Sequence, residues 1–293
     1  MRRLHTNKIV GQRYPEQAHQ LRQLVRGDVV PKLLVLRDTA GAERPDIRSY
    51  TAALREQMRR VHRAVGYVLG GEVTLGDLIE VKTAPTRDLR HLVKDANGDP
   101  SVDSVLVMSP VSGSYSYEKI VAELSPDKDV DGMNPDSGRM PRTPLAIQQT
   151  LDHHDLWLPD RHFTLVGRGR TVNSYVDEAL LDMMGEERYN DQVRVITKSN
   201  QDELGPALQD SEVAIVAAGV HNQITPELIG PNMRAVVGVC IGDIHPDVRR
   251  IKGDLLVTPP HLDRRYLGIG AVTASNAIQG TLDAAMSRLP GLS

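Results

Sequence analysis

Apolar residues near the start of the chain recur with a helical period and then form a short uninterrupted run. A helix is predicted over residues 15–26, where apolar side chains return at spacings of three and four: Ala18, Leu21, Leu24 and Val25. The apolar run 31–37, which begins with a proline, predicts a buried strand. A second helix is expected from Asp46, as N-cap, to about Val65, and a second strand over 102–108. The first half therefore indicates an open α/β layer.

Beyond residue 144, short apolar runs alternate regularly with helical stretches. Strands are predicted at four places: 162–166, 192–197, 213–218 and 233–239. A helix over 145–152 precedes them and a helix over 272–289 follows them. Such spacing is typical of βαβ units and a parallel sheet. The segment 125–144 between the halves is rich in proline, glycine and charge, which indicates a long functional loop or a domain boundary.

Length and composition are those of an ordinary globular chain. A length of 293 residues favours two domains, and the 40% hydrophobic and 25% charged content argues against bulk disorder. The 35 basic and 38 acidic residues leave a net charge of −3, so nucleic acid is not an expected partner. Aromatic residues make up 3%, too few for a base-stacking platform.

Several features of the sequence bear on the cellular location of the protein. Cys240 is the single cysteine, which excludes an internal disulfide and a cysteine-cluster metal site. The apolar run 213–220 is far shorter than the ~20 residues of a membrane helix, so no membrane partner is expected. The N-terminus lacks the apolar core of a secretory signal. A cytoplasmic protein is therefore expected.

Two predicted strand ends carry residues that suit a dinucleotide. The glycine-rich turn 166–172 (VGRGRTV) joins a strand to a helix, where backbone N–H groups can hold phosphates. Its spacing is not GxGxxG, and a tight turn with solvated arginines is the alternative. At the next strand end, Lys198 and Ser199 stand where an NAD site places an acid, so NADP with its 2′-phosphate is the better match. An ordinary exposed lysine is the alternative there.

Two further motifs suggest metal binding at first sight, but their spacing does not support it. The acidic run 125–132 (SPDKDVDG) opens like a calcium loop, but Gly138 stands where the required glutamate belongs, so calcium is not expected. A rigid acidic loop for a polar ligand, or a solvated connector, remains. His153, His154 and His162 lack a ligand spacing, so no metal is predicted.

Taken together, these segments resemble the bifunctional methylenetetrahydrofolate dehydrogenase/methenyltetrahydrofolate cyclohydrolase family. The most specific stretch is 126–140 (PDKDVDGMNPDSGRM), similar to the family's P-x-K-D-V-D-G-x-x-P-x-N-x-G-R-L. The segment 141–144 (PRTP) resembles its P-C-T-P, with Arg142 in place of cysteine, and 166–172 resembles V-G-R-S-x-x-V. Segments 213–220 (VAIVAAGV) and 242–248 (GDIHPDV) are similar to two further family segments.

The resemblance implies an N-terminal α/β folate domain, a C-terminal Rossmann-like NADP domain, a cleft between them and a homodimer. The expected boundaries are 1–144, completed by the C-terminal helix 272–293, and 145–271. By carry-over, Asp131 grips the pterin edge, with Asp129 as the alternative; Tyr50 is the other catalytic residue and lines the substrate cleft, as does Met108. The cofactor residues implied are Gly167, Arg168, Gly169, Arg170, Thr171, Lys198, Ser199, Gly219, Ile241 and Thr273.

The sequence departs from the family where proton transfer is needed. The family's Tyr-x-x-x-Lys becomes Tyr50 with Leu54, no lysine occurs over residues 33–81, and the family's strand-end glutamine becomes Met108. We therefore expect NADP-dependent oxidation of methylenetetrahydrofolate in one-carbon metabolism, with cyclohydrolase activity weak or lost. Two alternatives stay open: an NADP oxidoreductase acting on another small molecule, and a catalytically silent paralogue that acts as a binding protein.

Overall fold

A computed structural model describes residues 4–66, 73–113, 115–158, 160–167, 179–182, 192–251, 253–259 and 267–290. The chain forms two compact units. The first unit comprises Val10–Arg142 with Thr273–Ser293, and the second comprises Met1–Ile9 with Thr143–Val272. Each unit has a parallel sheet of its own, which confirms the predicted α/β class.

The first unit is built on a three-stranded parallel sheet in the order β2-β1-β3. Its strands are β1 (Leu33–Asp38), β2 (Ile79–Ala84) and β3 (Ser104–Val107). The helices up to residue 121 are α1 (Asn7–Arg26), α2 (Pro45–Gly66), α3 (Leu75–Leu78), α4 (Thr86–Gly98) and α5 (Tyr117–Val121). In the middle strand, Leu33 pairs with Ile79 on one side and with Ser104 on the other.

An apolar stripe on α2 forms part of the core of the first unit. Leu54, Met58 and Val61 follow one another at spacings of four and three, and all three are fully buried. Burying one such side chain contributes roughly 1.5–3 kcal/mol. Because residues four apart share a helix face, the stripe also directs Tyr50, one turn before Leu54, toward the interior, where it packs against the core.

The second unit contains a five-stranded parallel sheet in the order β5-β4-β6-β7-β8. Its strands are β4 (Phe163–Val166), β5 (Val193–Ile196), β6 (Val213–Val216), β7 (Ala235–Gly238) and β8 (Leu256–Val257). Further helices in the described part of the chain are α6 (Arg142–His153), α7 (Leu204–Asp210) and α8 (Ile269–Met286), and α8 belongs to the first unit from Thr273 onward. Every residue of β4 and β6 is buried, as expected for interior strands of a parallel sheet.

The expected N-terminal domain of 1–144 is corrected at its beginning, because Met1–Ile9 belong to the second unit. The backbone N–H of Leu4 donates to the Val257 carbonyl at 3.1 Å, and that of Thr6 donates to the Leu267 carbonyl at 2.9 Å. The side chain of Leu4 is fully buried. These contacts place residues 4–9 in the second unit, a long-range pairing that the hydrophobic pattern of the segment does not reveal.

The strand β2 is an element that the hydrophobic pattern did not predict. Only Ile79 is buried in it, because β2 lies at the edge of the sheet and exposes charged side chains. Glu80 forms ion pairs with Lys32 at 2.7 Å and with Lys82 at 3.1 Å. Charged residues are typical of edge strands, and they remove the apolar run by which a strand is found in a sequence. Among the described residues, no helix is both long and apolar enough to cross a membrane.

Gly167 ends β4 in a conformation that only glycine adopts easily. Its φ is 112°, and a Cβ at this position would lie 2.5 Å from the Ala218 Cα. Its N–H donates to the Ile196 carbonyl at 2.9 Å. The missing side chain therefore lets the end of β4 lie directly against the backbone that follows β6.

Replacing Gly167 by Ala should lower the free energy of unfolding by about 2–4 kcal/mol, because a backbone clash adds to an unfavourable φ. The matched change Gly219→Ala should cost about 1 kcal/mol. Gly219 also has a positive φ, 66°, but its Cβ would meet no atom within 4 Å. Urea unfolding of both variants checks this, and equal losses would contradict the close approach.

Candidate active site and cofactor edge

The carboxylate of Asp129 closes the acidic loop from within. It accepts the backbone N–H groups of Asp131 at 3.2 Å, Gly132 at 3.0 Å and Asn134 at 2.8 Å. The residue is 1% exposed. Both oxygens are therefore occupied by the loop itself, which corrects the alternative that Asp129 binds substrate.

Further side chains fasten this loop at its edges. The guanidinium of Arg139 donates to the carbonyls of Asp129 at 2.7 Å and Asp127 at 3.1 Å. The Lys128 ammonium donates to two carbonyls at the end of α4. Gly132 has a φ of 72°, and a Cβ there would lie 2.7 Å from the Met140 carbonyl oxygen. The order of charged residues and glycine in this segment thus builds one rigid loop.

Asp131 is the carboxylate that the loop leaves available. Its backbone oxygen accepts the N–H of Arg142 at 3.0 Å, whereas its carboxylate accepts no hydrogen bond from the described residues. Burial raises the pKa of Asp131 to about 7; the negative charge of Asp129 adds to the rise and the Arg142 guanidinium opposes it. A carboxyl group that titrates near neutrality is characteristic of functional sites.

The hydroxyl of Tyr50 lies within electrostatic reach of the same groups. Its oxygen is buried and has no hydrogen-bond partner within the described part of the chain. Burial raises the pKa of Tyr50 well above its usual value, the charge of Asp131 raises it further, and Arg142 lowers it. The phenol is therefore protonated at neutral pH, so it can donate a hydrogen bond but cannot act as a base. The fold thus brings Tyr50, Asp131 and Arg142 together.

The positions of the family's lysine and glutamine both belong to the core. Leu54 is 0% exposed and Met108 is 4% exposed, and both lie in the hydrophobic cluster of the first unit. The Thr51 hydroxyl donates to the Met108 sulfur at 3.4 Å. The predicted role of Met108 in substrate binding is therefore corrected, because the side chain offers almost no surface to a ligand.

Arg142 is the site residue that sequence reasoning missed. In the sequence it stands out only as a departure from the family's P-C-T-P segment. The available signal was a charged side chain introduced directly after the acidic loop, where the family carries an uncharged thiol. Its position beside Asp131 and Tyr50 depends on the folding of that loop and is not visible from spacing alone.

The structure places some of the predicted cofactor residues at one edge of the second sheet and one of them elsewhere. Gly167, Gly219 and Ile241 follow β4, β6 and β7 at the carboxyl edge of the second sheet, where dinucleotides bind in parallel-sheet proteins. Lys198 and Ser199 follow β5 at the same edge, and both are exposed. The predictions for Arg168, Gly169, Arg170 and Thr171 fall outside the described residues. Thr273 is 4% exposed within α8, and it belongs to the first unit.

Asp243 is a second residue that sequence reasoning did not single out. It is fully buried near the carboxyl edge, and its backbone carbonyl accepts the Ile224 N–H at 3.0 Å. Burial raises the pKa of Asp243 to about 6, although backbone N–H groups including that of Gly219 favour the charged form. This carboxylate therefore lies between the loops that carry Gly219 and Ile241, and the Gly-Asp pair was its only signal.

The parallel sheet, the glycine at the end of β4 and the exposed Lys198 at the same edge define an α/β protein of the dinucleotide-binding class. The chain belongs to the tetrahydrofolate dehydrogenase/cyclohydrolase family: residues 141–288 match the model described as "Tetrahydrofolate dehydrogenase/cyclohydrolase, NAD(P)-binding domain". It is 26% identical over 220 residues to the bifunctional protein FolD of Syntrophotalea carbinolica, covering 70% of this chain and 73% of that protein.

Solved structures share the fold over nearly the whole chain. The Trypanosoma brucei N5,N10-methylenetetrahydrofolate dehydrogenase-cyclohydrolase, complexed with NADP and an inhibitor, has a TM-score of 0.73 at 18% identity and covers 98% of each chain. The NAD-dependent 5,10-methylenetetrahydrofolate dehydrogenase of Saccharomyces cerevisiae has a TM-score of 0.71 at 18% identity, covering 98% of this chain and 97% of that one.

These findings confirm the predicted family, the Rossmann-like cofactor domain and the identification as an enzyme of the dehydrogenase type. The predicted cofactor, NADP, is confirmed at the level of the domain, which is described as NAD(P)-binding. Because the two solved relatives are named for different nicotinamide cofactors, the fold alone does not distinguish NADP from NAD. That distinction depends on this chain's own residues at the end of β5.

Replacing Asp131 by Asn should stabilise the protein above neutral pH. The folded-state pKa of Asp131 lies above that of the unfolded chain, so its contribution to stability is lost as the pH rises through about 7. The amide cannot ionise, so the free energy of unfolding at pH 8 should increase by about 1–3 kcal/mol, at roughly 1.4 kcal/mol per pKa unit.

The matched change Asp129→Asn should have the opposite effect. It weakens the acceptors that hold three backbone N–H groups and should cost about 1–3 kcal/mol. Urea unfolding at pH 5 and pH 8 checks both variants. A loss of stability in Asp131→Asn at pH 8 would mean that its carboxylate helps to hold the loop.

Proposed function

We propose that this chain is an NADP-dependent methylenetetrahydrofolate dehydrogenase in which the cyclohydrolase activity is weak or lost. The observation that carries the proposal is the make-up of the candidate site. It has a free carboxylate at Asp131, a protonated phenol at Tyr50 and a guanidinium at Arg142, while Leu54 and Met108 occupy the lysine and glutamine positions inside the core. These groups can bind and orient a ligand, but they form no proton relay.

Binding of the pterin is assigned to Asp131. A carboxylate accepts two parallel N–H donors in a fork, which matches an amino group beside a ring N–H. Asp129 cannot compete for this role, because its oxygens hold the loop. Tyr50 lies within electrostatic reach of Asp131, and its buried hydroxyl keeps a proton that it can donate to a ligand group that reaches it.

Hydride transfer requires little from these side chains. The lone pair of the folate nitrogen expels hydride from the methylene carbon, so the protein needs only to position the substrate against the nicotinamide. NADP supplies the hydride acceptor when bound. On the protein side, Gly167 and Gly219 keep the backbone open at the carboxyl edge, and Lys198 stands free of ion pairs among the described residues.

Hydrolysis of the methenyl product requires proton movements that this site does not support. A general acid or base contributes typically 10²–10⁴-fold to such steps. Arginine stays protonated throughout the physiological range, and the raised pKa of Tyr50 keeps the phenol neutral. Leu54 and Met108 carry no exchangeable proton. The homodimer implied by the resemblance and the cytoplasmic location expected from the sequence stay predictions.

Lys198→Ala should weaken NADP binding while leaving NAD binding nearly unchanged. An ammonium that contacts the 2′-phosphate contributes roughly 1.5–3 kcal/mol, as hydrogen bonds to charged groups do. Lys119→Ala is the matched control, since this exposed lysine lies on α5 of the first unit. Calorimetric titration of both cofactors checks the prediction. Wild-type protein that binds NAD as tightly as NADP would contradict it.

The purified wild type should oxidise methylenetetrahydrofolate with NADP and should hydrolyse methenyltetrahydrofolate no more than ~10-fold above the spontaneous rate, because Leu54 and Met108 cannot supply general acid-base catalysis and Asp131 is engaged by the pterin. Both rates are followed by the absorbance of the methenyl compound. Asp131→Asn should abolish measurable folate binding, as it removes the ionised acceptor. Rapid hydrolysis by the wild type would contradict the loss of the proton relay. Absence of folate binding would favour a non-folate substrate or a silent paralogue.

A double variant tests why hydride transfer is expected while hydrolysis is not. Leu54→Lys with Met108→Gln should raise hydrolysis more than hydride transfer. Because Leu54 is fully buried, the new amine would have a lowered pKa, which suits proton transfer at neutral pH but reduces stability. Thermal unfolding therefore accompanies the rate measurements, and Leu54→Met with Met108→Gln controls for repacking. Equal gains in hydrolysis rate in the two double variants would contradict the role assigned to the missing lysine.

A further inference from the structure

We propose that Arg142 is a positioning residue of the candidate site, supplying the positive charge that keeps Asp131 an accepting carboxylate in place of the lysine that this chain lacks. The role in substrate binding rests on the proposed function, whereas the charge relation between the two side chains does not.

Two hydrogen bonds fix Arg142 against the residues around Asp131. Its backbone N–H donates to the Asp131 carbonyl at 3.0 Å, and its Nε donates to the Val130 carbonyl at 2.8 Å. The first of these bonds is available to any residue except proline, but the second requires the arginine side chain. The Nε side of the guanidinium is therefore held against the loop.

A glycine in the last helix makes room for this arrangement. A Cβ at Gly280 of α8 would lie 2.8 Å from the Val130 Cγ2 and 3.0 Å from the Arg142 Nη2. Glycine inside a helix costs roughly 0.5–1 kcal/mol relative to alanine. Its presence here is explained by the close packing of Val130 and Arg142 on the helix.

The charges around Asp131 come from three elements, and Arg142 itself also faces Arg13 on α1, Arg139 on the loop and Asp283 on α8. Asp129 on the same loop is negative, Tyr50 on α2 is neutral while protonated, and Arg142 at the start of α6 is positive. Among the described residues, Arg142 is the group found to favour the ionised form of Asp131. Without it, burial and Asp129 would both favour the neutral acid, which cannot accept two N–H donors.

Arginine replaces the charge of a lysine but not its chemistry. A guanidinium stabilises a nearby carboxylate and remains protonated, whereas a buried ammonium can also release its proton. Arg142 is thus expected to maintain ligand binding without restoring proton transfer. This is consistent with the proposed division between hydride transfer and hydrolysis.

The charge relation is tested on the unliganded protein by carboxyl-carbon NMR with labelled aspartate, using Asp131→Asn to assign the signal. The titration midpoint of Asp131 should rise by about one to two pH units in Arg142→Gln, because an arginine beside an aspartate lowers its pKa by that order. Arg142→Lys should give a smaller rise. Equal midpoints in the wild type and Arg142→Gln would overturn the inference.

Arg139→Gln is the matched control, since Arg139 donates to loop carbonyls but does not contribute to the pKa of Asp131. In Arg139→Gln the titration midpoint of Asp131 should stay at the wild-type value. A shift as large as in Arg142→Gln would overturn the inference. If Arg142→Gln fails to fold, Gly280→Ala provides a second route, because the added methyl displaces the guanidinium. That variant should also raise the midpoint.

A pH profile separates positioning from a structural role. In Arg142→Gln the KM for methylenetetrahydrofolate should increase at pH 7 and return toward the wild-type value near pH 9, with kcat changed less. A KM raised equally at every pH would mean that Arg142 acts only through structure. If the NMR midpoint shifts but no variant or wild type binds folate, the proposed function fails while the charge relation stands.

Discussion

The candidate site depends on one buried carboxylate and the backbone N–H groups that it accepts. Asp129 draws the N–H groups of Asp131, Gly132 and Asn134 around itself, which forces the loop into a tight turn. Because that turn fixes the backbone at Asp131, it also fixes the point from which the second carboxylate extends. The same turn presents the Asp131 carbonyl to Arg142 at the start of α6. Two neighbouring aspartates of one motif thus have separate roles, one structural and one open to a ligand.

The groups around Asp131 favour binding over proton transfer. The substitutions at Leu54 and Met108 do more than remove polar groups, since both side chains complete the apolar core beneath α2. A polar relay at these positions would require buried groups with partners, and the core offers Thr51 as the neighbour of Met108. The charge that remains near the site comes from Arg142. A permanent cation beside a titratable carboxylate can hold a ligand in register, but it cannot pass a proton on.

Sequence patterns predicted the parts of the fold that rest on local apolar runs. The strands over 163–166, 213–216 and 235–238 and the long helices α2 and α8 follow such runs. The edge strand β2 was not predicted, because its exposed charged side chains remove the apolar alternation typical of a strand. The extended segment at Leu4 escaped because its partners lie more than 250 residues away.

The site shows the same limit. The motif 126–140 identified the acidic loop, and the resemblance assigned its aspartates to substrate binding with Asp131 preferred. Only the three-dimensional hydrogen bonds separate the roles of Asp129 and Asp131. Arg142 and Asp243 were missed because their importance comes from burial and charged or polar neighbours, and a single sequence does not reveal either.

A crystal structure of the protein with NADP and a reduced folate would show which carboxylate binds the pterin. We expect the amino group and ring N–H of the pterin to lie within hydrogen-bonding distance of the Asp131 carboxylate, with Asp129 still bonded to its loop. We also expect no ionisable group other than Tyr50 and Asp131 to be positioned to exchange a proton with the folate. A pterin bound away from Asp131, or a histidine, lysine or second carboxylate in contact with the one-carbon unit, would contradict it.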